Sequence, residues 1–122
     1  MAICFIKEPK IRKRKFGNKI VETEDGKFNS KIEHRRWMVL KKAQADGLIS
    51  ELSREVEFSM DIGTDTICKY YADTTYMKDG EFIVEDVKGV RTAVFNLKRK
   101  MLRIFYGLEI KIVTKQTVDI PP

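Results

Sequence analysis

The dipeptide Asp79-Gly80 separates two strand-forming segments, KYYADTTYM at 69–77 and FIVEDVKG at 82–89, and it constrains the chain more than any other short feature. A two-residue primed turn needs positive φ at both central positions, which Asp-Gly supplies, so the segments are expected to form an antiparallel hairpin. With Asp79 and Gly80 at the tip, Lys78 faces Glu81 and opposed residues have numbers summing to 159. A four-residue loop from Lys78 to Glu81 keeps that sum. Asp73 then lies opposite Asp86. Directly opposed Cβ atoms are about 4.5–5.5 Å apart, and like charges at that spacing are destabilising.

Side chains alternate along a strand, so Phe82, Val84, Asp86 and Lys88 share one face while Ile83, Glu85 and Val87 share the other. Asp86 and Lys88 are therefore neighbours, Glu85 points away from them, and Tyr71 pairs with Lys88. A solvated i, i+2 ion pair is the plain reading of Asp86 and Lys88. The opposed acids favour a different one. Two carboxylates held together attract a cation, and Mg²⁺ is a hard ion usually bound by one or two carboxylates with water and phosphate oxygens. A lysine on the same face could then assist an attacking water or offset phosphate charge.

An acid followed on the next strand by Asp-x-Lys, here Asp73 and then Asp86-Val87-Lys88, resembles the PD-(D/E)xK nuclease superfamily, with Ala72 standing where a proline usually precedes the first acid. The rest of the chain resembles a small phage-encoded family of that superfamily: the segment 14–52, with its basic start, DGKFNSKIE, helix and GLISEL, and then YYADTTY, IVEDVKG, TAVFNLKRK and YGLEI. The resemblance implies an α/β fold with a restriction-endonuclease-like core, a central mixed β-sheet flanked by helices. It implies a metal-dependent endodeoxyribonuclease, a phosphodiester hydrolase using Mg²⁺ with Mn²⁺ as the alternative ion. Asp73, Asp86, Glu33 and the backbone carbonyl of Val87 would hold the metal, and Lys88 would act on the water or the transition state. The expected substrate is branched DNA, cut by a Holliday-junction-resolving enzyme of DNA recombination that works as a C2 homodimer. A monomeric nicking or flap endonuclease and a non-catalytic DNA-binding module are the alternatives.

Glu33 keeps two readings. Ser30 is a good N-cap, and a glutamate three residues later completes a capping box without any metal.

The chain has 122 residues, 43% of them hydrophobic, which suits one compact domain, divided here into a basic tail at 1–15 and a nuclease domain at 16–122. No run approaches the ~18 apolar residues of a membrane span, and MAICFI is short for a signal peptide. A cytoplasmic protein, in a bacterial host cell if phage-encoded, with no membrane partner is expected. Cys4, Cys68 and the single His34 lack zinc-ligand spacing, and Cys68 is read as packing. Charge is concentrated: residues 1–20 carry seven basic groups and one acid, whereas 21–122 carry seventeen of each. Lys10, Arg12, Lys13, Arg14, Lys15 and Lys19 are thus expected to bind DNA phosphates.

A small hairpin is expected around an Asp25-Gly26 turn, then a helix from 31 to about 46 with Trp37, Leu40 and Ala43 on its apolar stripe, ended by Gly47. Trp37 reads as core rather than as a stacking platform. EVEFSMDIG alternates as a half-buried strand. Thr92 is expected to cap a helix running to about Tyr106, with Gly107 ending it and a last strand at 108–113. Most of Lys98, Arg99, Lys100 and Arg103 would form that helix's wet face, with Lys98 as a phosphate contact near the pocket. The strand-helix-strand connection from 82–88 to 108–113 reads as a right-handed crossover.

Overall fold

The computed structural model describes residues 20–122, so Cys4 and the basic positions Lys10, Arg12, Lys13, Arg14, Lys15 and Lys19 lie outside the described residues. The chain runs β1 (Val21–Thr23), β2 (Gly26–Phe28), α1 (Lys31–Ala45), β3 (Ser50–Ile62), β4 (Asp65–Lys78), β5 (Glu81–Val87), α2 (Ala93–Tyr106) and β6 (Ile110–Val113). β1 and β2 form a separate ribbon, and β3-β4-β5-β6 form a four-stranded sheet. That sheet is mixed, because β5 and β6 are parallel and joined through α2, whereas the other neighbours are antiparallel. The expected α/β architecture and element order are therefore observed. No helix among the described residues is long and apolar enough to cross a membrane.

The β4–β5 hairpin has the anticipated register, with Lys78↔Glu81 through Thr74↔Glu85 paired. Asp79 and Gly80 both have positive φ, 51° and 82°, as a primed turn demands. The first hairpin departs from expectation. Its turn residues are Glu24 and Asp25, since Thr23 pairs with Gly26, and only Gly26 has positive φ. The Thr23 hydroxyl explains the shift: Oγ1 accepts from the Asp25 N–H at 3.1 Å and donates to the Gly26 carbonyl at 3.0 Å, closing the loop one residue earlier.

Both helices start where their caps stand, Ser30 accepting from the Glu33 N–H and Thr92 from the Phe95 N–H. Gly107 ends α2 in the left-handed conformation. The last strand is shorter than expected, beginning at Ile110 rather than 108.

Two hydrophobic clusters occupy opposite faces of the sheet. Leu40 and Ala43 of α1 pack with Ile49, Leu52, Tyr76 and Ile83, while Phe95 and Leu102 of α2 pack with Val56, Phe58, Met60, Tyr70, Ala72 and Val84. Strand β5 divides its side chains between them by simple alternation, Ile83 to one and Val84 to the other. Strands β3 and β4 do not. Leu52 and Val56 are both even-numbered yet serve different clusters, and so do Ala72 and Tyr76, so each strand changes face parity between these residues; the β3–β4 ladder has two further irregularities, between Ser50 and Ser53, where Glu51 has φ +54°, and between Met60 and Asp61. The change falls between two ladder pairs, Arg54↔Thr74 and Val56↔Ala72, which leave Glu55 and Asp73 across from one another. Glu55 has φ +50°, a left-handed conformation for a residue without glycine's freedom, and this supplies the inversion in β3.

Arg36, rather than Trp37, is the deeply buried α1 residue beside Leu40 and Ala43. Trp37 is half-buried at the edge, 6.4 Å from the Phe28 ring and 5.7 Å from the Arg54 guanidinium. Arg36 grips Glu85 through both carboxylate oxygens, Nε to Oε1 at 2.8 Å and Nη2 to Oε2 at 2.7 Å, and Nη1 donates to the carbonyls of Val118 and Ile120. Glu85 also accepts from the Tyr76 hydroxyl at 2.5 Å and has the Lys111 ammonium at 3.7 Å. Removing one partner of such a buried pair strands the other charge. Arg36→Met alone is expected to cost about 3–5 kcal/mol, whereas the double variant Arg36→Met/Glu85→Met should lose much less. Urea unfolding of the three proteins checks this, and equal losses in the single and double variants would contradict it.

Candidate active site

The C-terminal end of β5 brings the sequence-nominated acids to one place. Asp73 Oδ2 accepts from the Val87 N–H at 2.8 Å, which extends the hairpin pairing and holds the Asp73 carboxyl at the end of β5. Asp86 follows Glu85, the partner of Thr74 in the ladder, so Asp73 and Asp86 are neighbours there, and Asp73 titrates well above the ordinary carboxylate range. Burial is the largest cause, followed by the charges of Asp86 and Glu33. The Val87 N–H pulls the other way and does not outweigh them.

Asp86 is buried, and its Oδ2 receives the Tyr70 hydroxyl at 2.5 Å and lies 3.8 Å from the Lys88 ammonium. Desolvation, the Asp86 charge and this hydrogen bond together keep the Tyr70 phenol protonated far above its usual range. Lys88 lies on the face read from strand parity, with its Nζ 4.6 Å from the centre of the Phe95 ring at the start of α2. That cation–π contact and Asp86 fix the ammonium over the acid pair.

Glu33 approaches from the other side of the sheet end, in the first turn of α1. Its carboxyl is pushed up, chiefly by burial and then by Asp86, while Lys88, the Asn29 backbone and Arg54 oppose the shift. The capping arrangement is half formed as expected: Ser30 Oγ accepts from Glu33 N at 3.2 Å, and the Glu33 carboxylate interacts with the backbone of Asn29 rather than that of Ser30. Glu33 is thus a helix-start residue and an electrostatic member of the acid group at once.

Glu33, Asp73, Thr74, Val87, Arg36, Arg54 and Glu55 line a small cavity of about 30 Å³ with Phe28 and Asn29. Arg54 roofs this side, its guanidinium 3.8 Å from the centre of the Phe28 ring and bonded to the Asp25 and Lys27 carbonyls. Sequence reasoning passed over Tyr70, Arg54 and Glu55. None carried a readable signal: strict alternation puts Tyr70 on the face opposite Asp73 and Asp86, and only the change of parity at Asp73 brings its hydroxyl to Asp86. Other nominated residues lie elsewhere. Tyr71 is exposed and bonds to Glu57 rather than shielding Lys88, Glu85 is committed to Arg36 as its parity implied, and Lys98 does not line the cavity.

Among the described residues no group of three or more His, Cys, Asp or Glu side chains is arranged to hold a metal ion. The donors fit a hard divalent cation in another sense. Mg²⁺ needs only one or two carboxylates and completes its shell with water, and the Asp73 and Asp86 oxygens are paired against their own repulsion with Glu33 adding a third charge.

Residues 13–117 match a family described as "Protein of unknown function (DUF1064)". The chain belongs to this family. No curated protein and no solved structure matches it.

The raised carboxyls make stability depend on pH. The fold favours protonated Asp73 and Glu33, so their contribution is fully present below the unfolded values near 3.9 and 4.3 and is lost as pH rises through the raised folded values. Asp73→Asn keeps an oxygen for the Val87 N–H and removes the repulsion. In metal-free buffer it should raise stability at pH 8 by on the order of 1 kcal/mol and flatten the decline between pH 5 and 8. Thermal melts across that range test it, and a variant weakened equally at both ends would exclude the repulsion.

Proposed function

We propose that this chain is a Mg²⁺-dependent, structure-specific DNA endonuclease on a restriction-endonuclease-like core, of the Holliday-junction-resolving type. The observation that carries the reading is the Asp73–Asp86 carboxyl pair at the end of β5 with Lys88 fixed beside it. A like-charged pair destabilises the hairpin that bears it, and a fold with no use for a cation would gain from replacing either acid. The α-β-β-β-α-β order around a mixed sheet supports the same reading.

Asp73, Asp86, the Val87 carbonyl and Glu33 would hold the ion, with Mn²⁺ as a substitute for Mg²⁺. The bound metal supplies Lewis-acid binding of the scissile phosphate and a water of lowered pKa. The chain's own groups do the rest. The Tyr70 hydroxyl orients Asp86 by occupying Oδ2, and the Val87 N–H does the same for Asp73. Lys88, between Asp86 and the Phe95 ring, presents its ammonium to the phosphate and neutralises charge that builds there. Glu33 adds negative potential from the helix side and draws the cation toward the pair.

Branched DNA is the proposed substrate because, beyond the sheet and its helices, the described body offers only the β1–β2 ribbon of three residues a strand, tied down by Arg54, to read base edges, which leaves backbone shape and deformability as the basis of choice. A C2 dimer would place two such sites on the symmetry-related strands of a four-way junction. Four-way, flap, nicked and linear DNA incubated with the protein and Mg²⁺ provide the test. Junctions should be cut in symmetric pairs near the crossover by a dimer. Equal cutting of linear duplex by a monomer would remove the resolving role and leave a nicking enzyme, and no cutting of any substrate would remove catalysis. Asp86→Asn should abolish cleavage while binding the junction as tightly as the parent or more so, because one repulsive charge is gone; full cleavage by this variant would take Asp86 out of the site.

A further inference from the structure

We propose that one face of α2 is a phosphate track that carries the duplex DNA leading away from the candidate site. The assignment rests on the nuclease reading only for the identity of the polymer. Asn96, Arg99, Lys100 and Arg103 recur at i, i+3, i+4 and i+7 and so form one stripe along the helix. Together with Glu109 they line a cleft of about 450 Å³. Seven residues of helix span about 10 Å, close to the axial rise of three base-pair steps at about 3.4 Å each. The stripe starts at the residue after Phe95, whose ring holds Lys88. The stripe and the acid pair are thus joined in the chain by the first turn of α2, with Phe95 in contact with Lys88 and Asn96 opening the stripe.

Charge on α1 behaves differently, and the contrast is what singles out α2. On α1 four of the five Lys and Arg residues, Arg35, Arg36, Lys41 and Lys42, have a carboxylate partner, in Asp119, Glu85, Asp25 and Asp46, and only Lys31 at its first position has none among the described residues. The α2 sequence contains four basic residues and no acid. Among the described residues Arg99 and Lys100 have no carboxylate at ion-pairing distance, and Arg103 has only Glu109, with Nε 3.9 Å from Oε2. Residues 21–122 carry equal numbers of acids and bases, so the stripe is a local excess on a neutral body rather than a sample of a basic surface. Two guanidinium forks, an ammonium and an amide suit phosphate oxygens, and the cleft lining has no aromatic ring on which an unpaired base would stack. This favours backbone contact with duplex over capture of single strands.

The experiment compares the full chain with Arg99→Gln/Lys100→Gln/Arg103→Gln, substitutions that keep helix propensity, and with a control of equal charge loss elsewhere, Lys42→Gln/Lys69→Gln/Lys78→Gln. Fluorescence anisotropy of a labelled four-way junction is read in EDTA between 50 and 200 mM salt, with thermal melts to establish that each protein is folded. Should the triple variant melt early, Arg99→Gln/Lys100→Gln gives the same reading with two charges. The α2 variant should bind about tenfold more weakly or worse at the low-salt end, and its slope of log K against log salt should fall by about 0.9 per lost phosphate contact, or about 2–3 in all. The control should keep the parent slope. An unchanged slope in the folded α2 variant overturns the track, and so does a loss seen on single strands but not on the junction. Because binding is read without metal, an α2-dependent slope in a protein that cuts nothing in Mg²⁺ would leave the track standing and remove the nuclease.

Discussion

The fork of Arg36 on Glu85 joins the two parts of the molecule that the candidate site needs in register. Glu33 lies one helical turn before Arg36, and Asp86 is the residue after Glu85. A single buried bidentate contact therefore sets how α1 sits on β5 and, with it, how far the Glu33 carboxyl stands from the acid pair. Desolvation of two charges offsets most of what such a bridge contributes to stability. Its effect is geometric: a planar guanidinium accepts a carboxylate in few orientations, and the remaining donor is taken by the carbonyls of Val118 and Ile120.

Alternation along β5 gives adjacent acids opposite surroundings. Glu85 is met by a guanidinium, a phenol and an ammonium. Asp86 has Lys88 and Tyr70. Asp73 and Glu33 are the members without a full countercharge, and both are pushed toward protonation. Buried acids short of countercharge thus gather, among the described residues, at the sheet end where β4, β5 and the start of α1 meet, and that is where a cation from solution gains most.

Much of this was legible because it depends on short-range rules. Asp79-Gly80 dictated the hairpin register, the register placed Asp73 against Asp86, and Ser30, Thr92 and Gly107 marked helix ends through their own hydrogen bonds or φ. The parts that were not legible depend on partners distant in sequence. Arg36 looks like one of several solvated α1 cations until Glu85, 49 residues away, is beside it. The first hairpin closed early because a threonine hydroxyl competed with the glycine signal. Strict period-2 reading of EVEFSMDIG held from Val56 to Met60 but not at Ile62, which is exposed beyond a register shift after Met60, and in both β3 and β4 it failed across Glu55 and Asp73, since nothing in a non-glycine residue announces a left-handed φ. Lys98 was nominated by proximity in sequence, whereas helical spacing assigns the cleft to Arg99, Lys100 and Arg103.

The matched change of parity in β3 and β4 divides the sheet into two packing blocks, one clamped by α1 and the other by α2, each with its own core. Asp73 stands on the seam between them. Glu33 belongs to the first block, whereas Lys88 and Asp86 face the second. The acid group is therefore assembled from both packing blocks, so the spacing of its charges depends on the packing of two cores at once.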